Sequence, residues 1–307
     1  MTILNVRHKT TYTYKQPVQF GEHRLMCRPR DSHDLRLIDT ALVITPPASG
    51  IRWMHDVFGN SIAIATFAER AASLVFESSF RAEHFPAAAP EISIEPYAET
   101  FPFSYSAEDT ADLGRTKERH YPDPEHRIDE WAKNMLAQTP SGRTLDVLVA
   151  MTTAIKEQFK YAARDAEGVQ TPLETLSAGS GSCRDFAVFM MEVARSLGLA
   201  ARFVSGYLYD ESLIGAGGGM VGGGATHAWV QIFLPGAGWV EYDPTNALVG
   251  GRNLIRVAVA RDASQAVPLQ GTYTGQPGDF ISIAVEVTVT TEELGAVDAT
   301  CRPTQAA

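Results

Sequence analysis

GSGSCRDFA, residues 179–187, sets one cysteine between turn-forming residues and an apolar helix, and the fold is read outward from it. After Cys183, the residues Phe186, Phe189, Met190, Val193, Ala194 and Leu197 recur at the spacing of one helix face, and Gly198 is a natural stop. The helix is expected to bury that single face. Before it, Gly179, Ser180 and Gly181 permit a tight turn and a close approach of backbone to substrate. Ser182 is placed to cap the helix, and Asp185, three residues on, completes a Ser-x-x-Asp capping box. A cysteine at a helix start meets unpaired backbone amides and the positive end of the macrodipole, both of which stabilise a thiolate. The competing explanation is packing, because free cysteines are among the most buried residues. Cys27 and Cys301 lack helix-start surroundings and are read as packing residues.

Downstream of this helix, strands are expected at residues 202–209, 227–234, 239–243, 254–260 and 280–290. His227 opens the strand HAWVQIFL, where a side chain at a strand end faces a cleft or simply packs. The next strand follows the turn Pro235, Gly236, Ala237, Gly238. If Leu234 pairs with Gly238, Trp229 lies opposite Asp243 and His227 is its diagonal neighbour on the same face. A slip of one residue would separate them. Asp243 also precedes Pro244, and a carboxylate heading an Asp-Pro turn is a structural device in its own right. Thiol, imidazole and carboxylate, in that chain order, form the nucleophile, base and orienter set of acyl transfer.

Upstream, residues 1–105 alternate short apolar and polar runs with turn residues, predicting an amino-terminal antiparallel β-sandwich. Residues 86–125 are rich in proline, alanine and acids and suit a linker or a chain draped over the next domain. Helices are expected at residues 127–136 and 145–159. Residues 106–307 then form an α+β unit in which the cysteine-bearing helix packs on an antiparallel sheet.

With 307 residues, two domains are expected. No apolar run approaches the roughly 18 residues that cross a bilayer, so the chain is read as soluble and not a membrane protein. A formal net charge of -10 repels phosphate backbones, which excludes nucleic acid as a partner class. The amino terminus MTILNVRHKTTYTY lacks a secretory h-region, and three widely spaced cysteines do not make a disulfide framework; a cytoplasmic location is expected. No CxxC pair and no calcium-type carboxylate loop occurs, so neither metal nor cofactor is implied. The glycine-rich run at residues 215–224 is read as a connector or a lid, and no Lys-Ser/Thr follows it to make a phosphate loop.

GSCRDFA, THAWVQIFLPGAGWVEYDPTN and the intervening RFVSGY resemble the bacterial transglutaminase-like family. YAARDAEGVQTPLETLSAGSGSC, EHRLMCRPR, HDVFGNSIA and LIRVAVARDASQAVPLQG extend the likeness over nearly the whole chain. The resemblance implies a papain-like core with Cys183 as nucleophile, His227 as base and acid, and Asp243 holding the imidazole. The sequence departs from the family at the glycine-rich run and at Gln231, where an acid is common. Substrate-cleft candidates are Gly181, Ser182, Tyr207 and Trp229, and Trp239 is a further possible wall. The backbone N–H of Cys183 is one expected oxyanion donor; Tyr207 or Trp229 stands as the second. The expected substrate is a protein or peptide amide. Hydrolysis through a thioester is favoured, with transfer to an amine and a non-catalytic binding scaffold as alternatives.

Overall fold

The computed structural model describes residues 2–85, 92–164, 167–209 and 224–292. Residues 215–223 of the glycine-rich run, linker residues 86–91 and Cys301 lie outside the described residues. The amino-terminal strands are β1 (Thr2–Arg28), β2 (Leu35–Thr45), β3 (Gly50–His55), β4 (Ser61–Thr66) and β5 (Arg70–His84). Helices α1 (Ala107–Leu113), α2 (Arg127–Ala137) and α3 (Thr144–Gln158) follow. Next come β6 (Lys160–Tyr161), α4 (Pro172–Ala178), β7 (Ser180–Gly181) and α5 (Cys183–Ser196). The remaining strands are β8 (Ala201–Leu208), β9 (Thr226–Leu234), β10 (Gly238–Asp243), β11 (Leu248–Val249), β12 (Leu254–Ala260), β13 (Leu269–Thr274) and β14 (Phe280–Glu292).

The fold is α+β, with an antiparallel amino-terminal sheet and a helix-on-sheet core. Leu4, Val6, His8 and Thr10 of β1 are buried while Arg7 is exposed, the alternation that a half-buried strand requires. The expected short strands merge here into one strand of 27 residues. Pro17, which cannot donate to a ladder, sits inside a register shift between Thr13 and Val18, so the strand passes through it without breaking. β1 links all seven strands into a single hydrogen-bonded sheet.

Hydrogen bonding also redraws the division at residue 105. β14 pairs with β1 from Ile3 to Tyr14, and β13 pairs with it from Gln19 to Leu25. The last two strands therefore belong to the amino-terminal sheet. The two units are welded further by a shared core: Met26, Ile62 and Ile64 of the sheet pack with residues of α2, α3 and α5. Leu4, Val6 and Phe80 pack on Tyr207, Ile255 and Val257 of the second sheet. Asn60, buried in the turn before β4, donates to the Val259 carbonyl at 2.7 Å and accepts from the Val259 N–H at 2.9 Å, pinning β12.

The second sheet runs β11, β10, β9, β8, β12, and α5 lies on β9 and β8. Contrary to the single apolar face read from its sequence, α5 is buried on nearly every side. Its polar residues are tolerated because they are paired. Glu192 and Arg195 bond at 2.8 Å, the backbone N–H groups of His120 and Tyr121 donate to Glu192, and Arg195 donates to the carbonyls of Thr116, Ala201 and Arg261. The segment expected to be a linker thus drapes over α5 and satisfies its buried charges.

Candidate active site

The turn ahead of α5 is built around Asp185, which is fully buried. Its Oδ2 accepts from the Ser182 N–H and the Ser182 hydroxyl, each at 2.8 Å, and its Oδ1 accepts from the Gln170 N–H at 2.7 Å. Arg164 lies 3.0 Å from the same carboxylate. Asp185 is therefore the local anchor of the turn. The Ser182 hydroxyl spends its proton on that carboxylate. A Cβ on Gly181 would lie 2.8 Å from the Asp185 Cβ, so only glycine lets the chain pass this close. Cys183 follows as the first helical residue, its backbone N–H free of any intrahelical acceptor.

The hairpin adopts the register in which Gly238 pairs with Leu234 and Tyr242 with Val230. That register brings His227 and Asp243 together: Nε2 of the ring and Oδ2 of the carboxylate are 2.8 Å apart. His227 is 1% exposed and Asp243 0%, while Cys183 retains 7%. The carboxylate does both jobs left open by the sequence. It accepts from the Thr245 N–H at 2.9 Å in an Asp-Pro turn, and from Asn246 Nδ2 at 2.8 Å, while holding the imidazole.

Burial opposes a charge on the ring, but the Asp243 carboxylate, and after it the Cys183 sulfur, overcome that and push the imidazole up to about 10. Asp243 is held below the usual carboxylate range: burial would raise it, and the His227 charge and the hydrogen bonds lower it. With Nε2 committed to Asp243, the nitrogen left for the thiol is Nδ1, which is buried and makes no hydrogen bond among the described residues. The Cys183 sulfur lies near enough to favour the charged form of the ring.

Two cleft expectations are corrected. Tyr207 lies in the interface with the amino-terminal sheet, where its hydroxyl and His8 Nδ1 are 2.9 Å apart. Trp229 is fully buried, and its indole N–H donates to Glu241, so it has no donor left for an oxyanion. Its ring instead stacks on His227, centroids 6.0 Å apart. Trp239 is covered by the Arg202 guanidinium 4.1 Å from its ring centre. Cys27 is a buried packing residue, its thiol pushed up to about 12 by burial.

Four residues near the site were not singled out from sequence. Tyr161 lies close to Cys183, its phenol pushed up by burial and then by that sulfur. Asn246 and Glu241 buttress Asp243 and Trp229. Gly206 faces His227 across the ladder, and a Cβ there would lie 2.1 Å from the Ile255 carbonyl oxygen and 2.7 Å from Trp229 Cη2. A cavity of about 310 Å³ opens among β1 to β5 and is lined by none of the candidate site residues. Among the described residues no group of three or more His, Cys, Asp or Glu side chains could hold a metal ion, and no helix is long and apolar enough to cross a membrane.

Residues 4–83 match the family model of the bacterial transglutaminase-like N-terminal region, and residues 129–244 match that of the transglutaminase-like superfamily. An uncharacterized protein of Mycobacterium tuberculosis is 28% identical over 297 residues, spanning 92% of this chain and 91% of that protein. Another, from Mycobacterium leprae, is 38% identical over 116 residues, which is 38% of this chain and only 40% of that protein. Among solved structures, a candidate cysteine protease from Cytophaga hutchinsonii superposes with a TM-score of 0.66 at 17% identity, covering 96% of this chain and 92% of that one, a likeness of fold. With residues 4–83 and 129–244 matched, this chain belongs to the bacterial transglutaminase-like proteins of the transglutaminase-like superfamily.

Proposed function

We propose that the chain is a cysteine-nucleophile acyl-transfer enzyme that hydrolyses amide or peptide bonds. The observation that carries this reading is the buried His227–Asp243 pair, 2.8 Å apart, with the Cys183 sulfur as the other group acting on the imidazole's charge. The thiolate of Cys183 attacks the amide carbonyl carbon, and the resulting oxyanion is met by the Cys183 backbone N–H. Imidazolium Nδ1–H of His227 gives its proton to the leaving amine as the C–N bond breaks, leaving a thioester and a neutral ring. The ring then takes a proton from water, whose hydroxide adds to the thioester. Collapse releases the carboxylic acid and returns thiolate and imidazolium. Asp243 keeps Nε2–H fixed throughout and balances the ring's charge.

Membership of the transglutaminase-like superfamily supports one alternative, in which a primary amine resolves the same thioester. The test is a survey of peptide hydrolysis and labelled-amine incorporation, run with wild type and Cys183→Ala together. Hydrolysis lost in the variant supports the proposal. Amine incorporation without hydrolysis selects the alternative. Activity that survives in Cys183→Ala refutes both, and a wild type with neither activity leaves a binding scaffold.

A further inference from the structure

Glu241 takes no part in the steps above, yet its buried carboxylate is aimed at the site. It stands two residues before Asp243 on β10, so both side chains leave the same face of the strand. Its Oε2 accepts the indole N–H of Trp229. Its Oε1 accepts from Gln231 Nε2 at 2.6 Å and from Arg256 Nη1 at 2.7 Å. The indole has a single donor, so this bond anchors the N–H edge of the ring and packing against β8 at Gly206 restrains the rest. The ring lies over the imidazole of His227, tilted by 27°. On the other side, Gly206 leaves no room beyond hydrogen for the ring to share with β8.

We propose that Glu241 is a positioning residue: its carboxylate fixes the Trp229 indole over the His227 imidazole and so keeps water from the His227–Asp243 ion pair. An ion pair weakens steeply as water raises the local dielectric, so a ring that seals one face of the imidazole strengthens the pair that holds the proton. The same carboxylate is tied outward. Arg256 on β12 reaches Asp34 at the edge of the amino-terminal sheet, 3.4 Å away, and Arg202 on β8 donates to Gln231 at 2.6 Å. These are the charged groups facing Glu241 from the packed elements, and through them the amino-terminal sheet braces the candidate dyad. Gln231 pairs directly with Glu241 across the ladder, which places its amide beside the buried carboxylate.

The inference rests on His227 carrying the proton in acyl transfer, and the experiment separates the two. Cys183 is alkylated with neutral iodoacetamide and with anionic iodoacetate over a range of pH, and the ratio of the two rates is followed. An imidazolium beside the thiolate favours the anionic reagent, so the ratio drops where the ring loses its proton. In Glu241→Met, which removes the acceptor, and in Trp229→Phe, which removes the donor, the drop should move to lower pH by about one unit or more, a tenfold change in ring acidity. Leu148→Ala, a core variant on α3 outside this hydrogen-bonded network, controls for lost stability alone and should leave the midpoint in place. Should Glu241→Met not fold, Trp229→Phe decides. A midpoint unmoved in Trp229→Phe, or moved there but not in a folded Glu241→Met, overturns the positioning role and leaves the acyl-transfer reading standing. A wild-type Cys183 that shows no pH-dependent preference for iodoacetate overturns both together.

Discussion

Replacing Asp243 with asparagine isolates the effect of the carboxylate on the imidazole, because the side chain keeps its size and loses its charge. In the intact site the ring is pushed from 6.5 up to about 10, against burial. At about 1.4 kcal/mol per tenfold change in acidity, that corresponds to about 5 kcal/mol in favour of the protonated ring. Without the charge, burial dominates, and the ring of Asp243→Asn should titrate below about 6.5, so that it is neutral at physiological pH. The amide also has one oxygen where the carboxylate used two, accepting from His227 and Asn246 on one and from Thr245 on the other. One donor is left facing an NH2 group, at about 1–3 kcal/mol.

Stability should follow with a definite sign. A raised histidine contributes stability that is complete below about 6.5 and lost as pH rises through about 10. A lowered aspartate contributes stability present above about 3.9 and lost as pH falls through its lower folded value. The wild-type advantage over Asp243→Asn should therefore form a plateau between those limits and shrink on both sides. Nitrogen-detected NMR of the ring, assigned with His227→Gln, reads the titration, and urea unfolding at stepped pH reads the stability. A wild-type ring that titrates near 6.5, or an Asp243→Asn ring that still titrates above neutrality, refutes the ion-pair account.

Other consequences follow from the packing. Glu192→Ala leaves Arg195 buried without its carboxylate and removes the acceptor for His120 and Tyr121, so unfolding in urea should show a loss of about 3–5 kcal/mol. Gly206→Ala forces β12 or the Trp229 ring to move, and Cys183 alkylation should lose its pH dependence before the fold is lost, as followed by circular dichroism; a normal profile would show that the ring can relocate freely. Removing residues 269–307 strips β1 of β13 and β14, leaving its ladder open, and size-exclusion chromatography should show aggregated protein rather than a monodisperse species.

Much of the candidate site was legible because its signals are local. The cysteine sits at a helix start marked by Ser182 and Asp185, and the hairpin's three-residue loop fixes which side chains share a face with His227. The register inferred from Leu234 and Gly238 is the one observed. What escaped was long-range. Nothing near Phe280 announces that it will pair with Tyr14, 266 positions earlier in the chain, and an alternating strand reads the same whichever sheet it joins. Short α4 and α1 lack enough turns to show periodicity. Tyr207 and Trp229 each bear a polar group that sequence alone leaves available to a cleft. Those groups are engaged elsewhere, with His8 and Glu241, and only the tertiary structure shows where.

The order in which the dyad is held matters for what it can do. Asp243 is fixed first by its own turn: the Thr245 N–H and the Asn246 amide take up both oxygens whether or not His227 is present. The carboxylate therefore cannot rotate to follow the ring, and a single hydrogen bond to Nε2 would leave the imidazole free to swing about it. A second restraint is needed, and the stacked indole of Trp229 supplies it from the face rather than the edge. With the ring restrained at Nε2 and across its plane, Nδ1 is the atom whose place is defined without a bond of its own. A proton carrier needs such an atom, positioned by its surroundings and left free to exchange its proton with the thiol, the leaving amine and water.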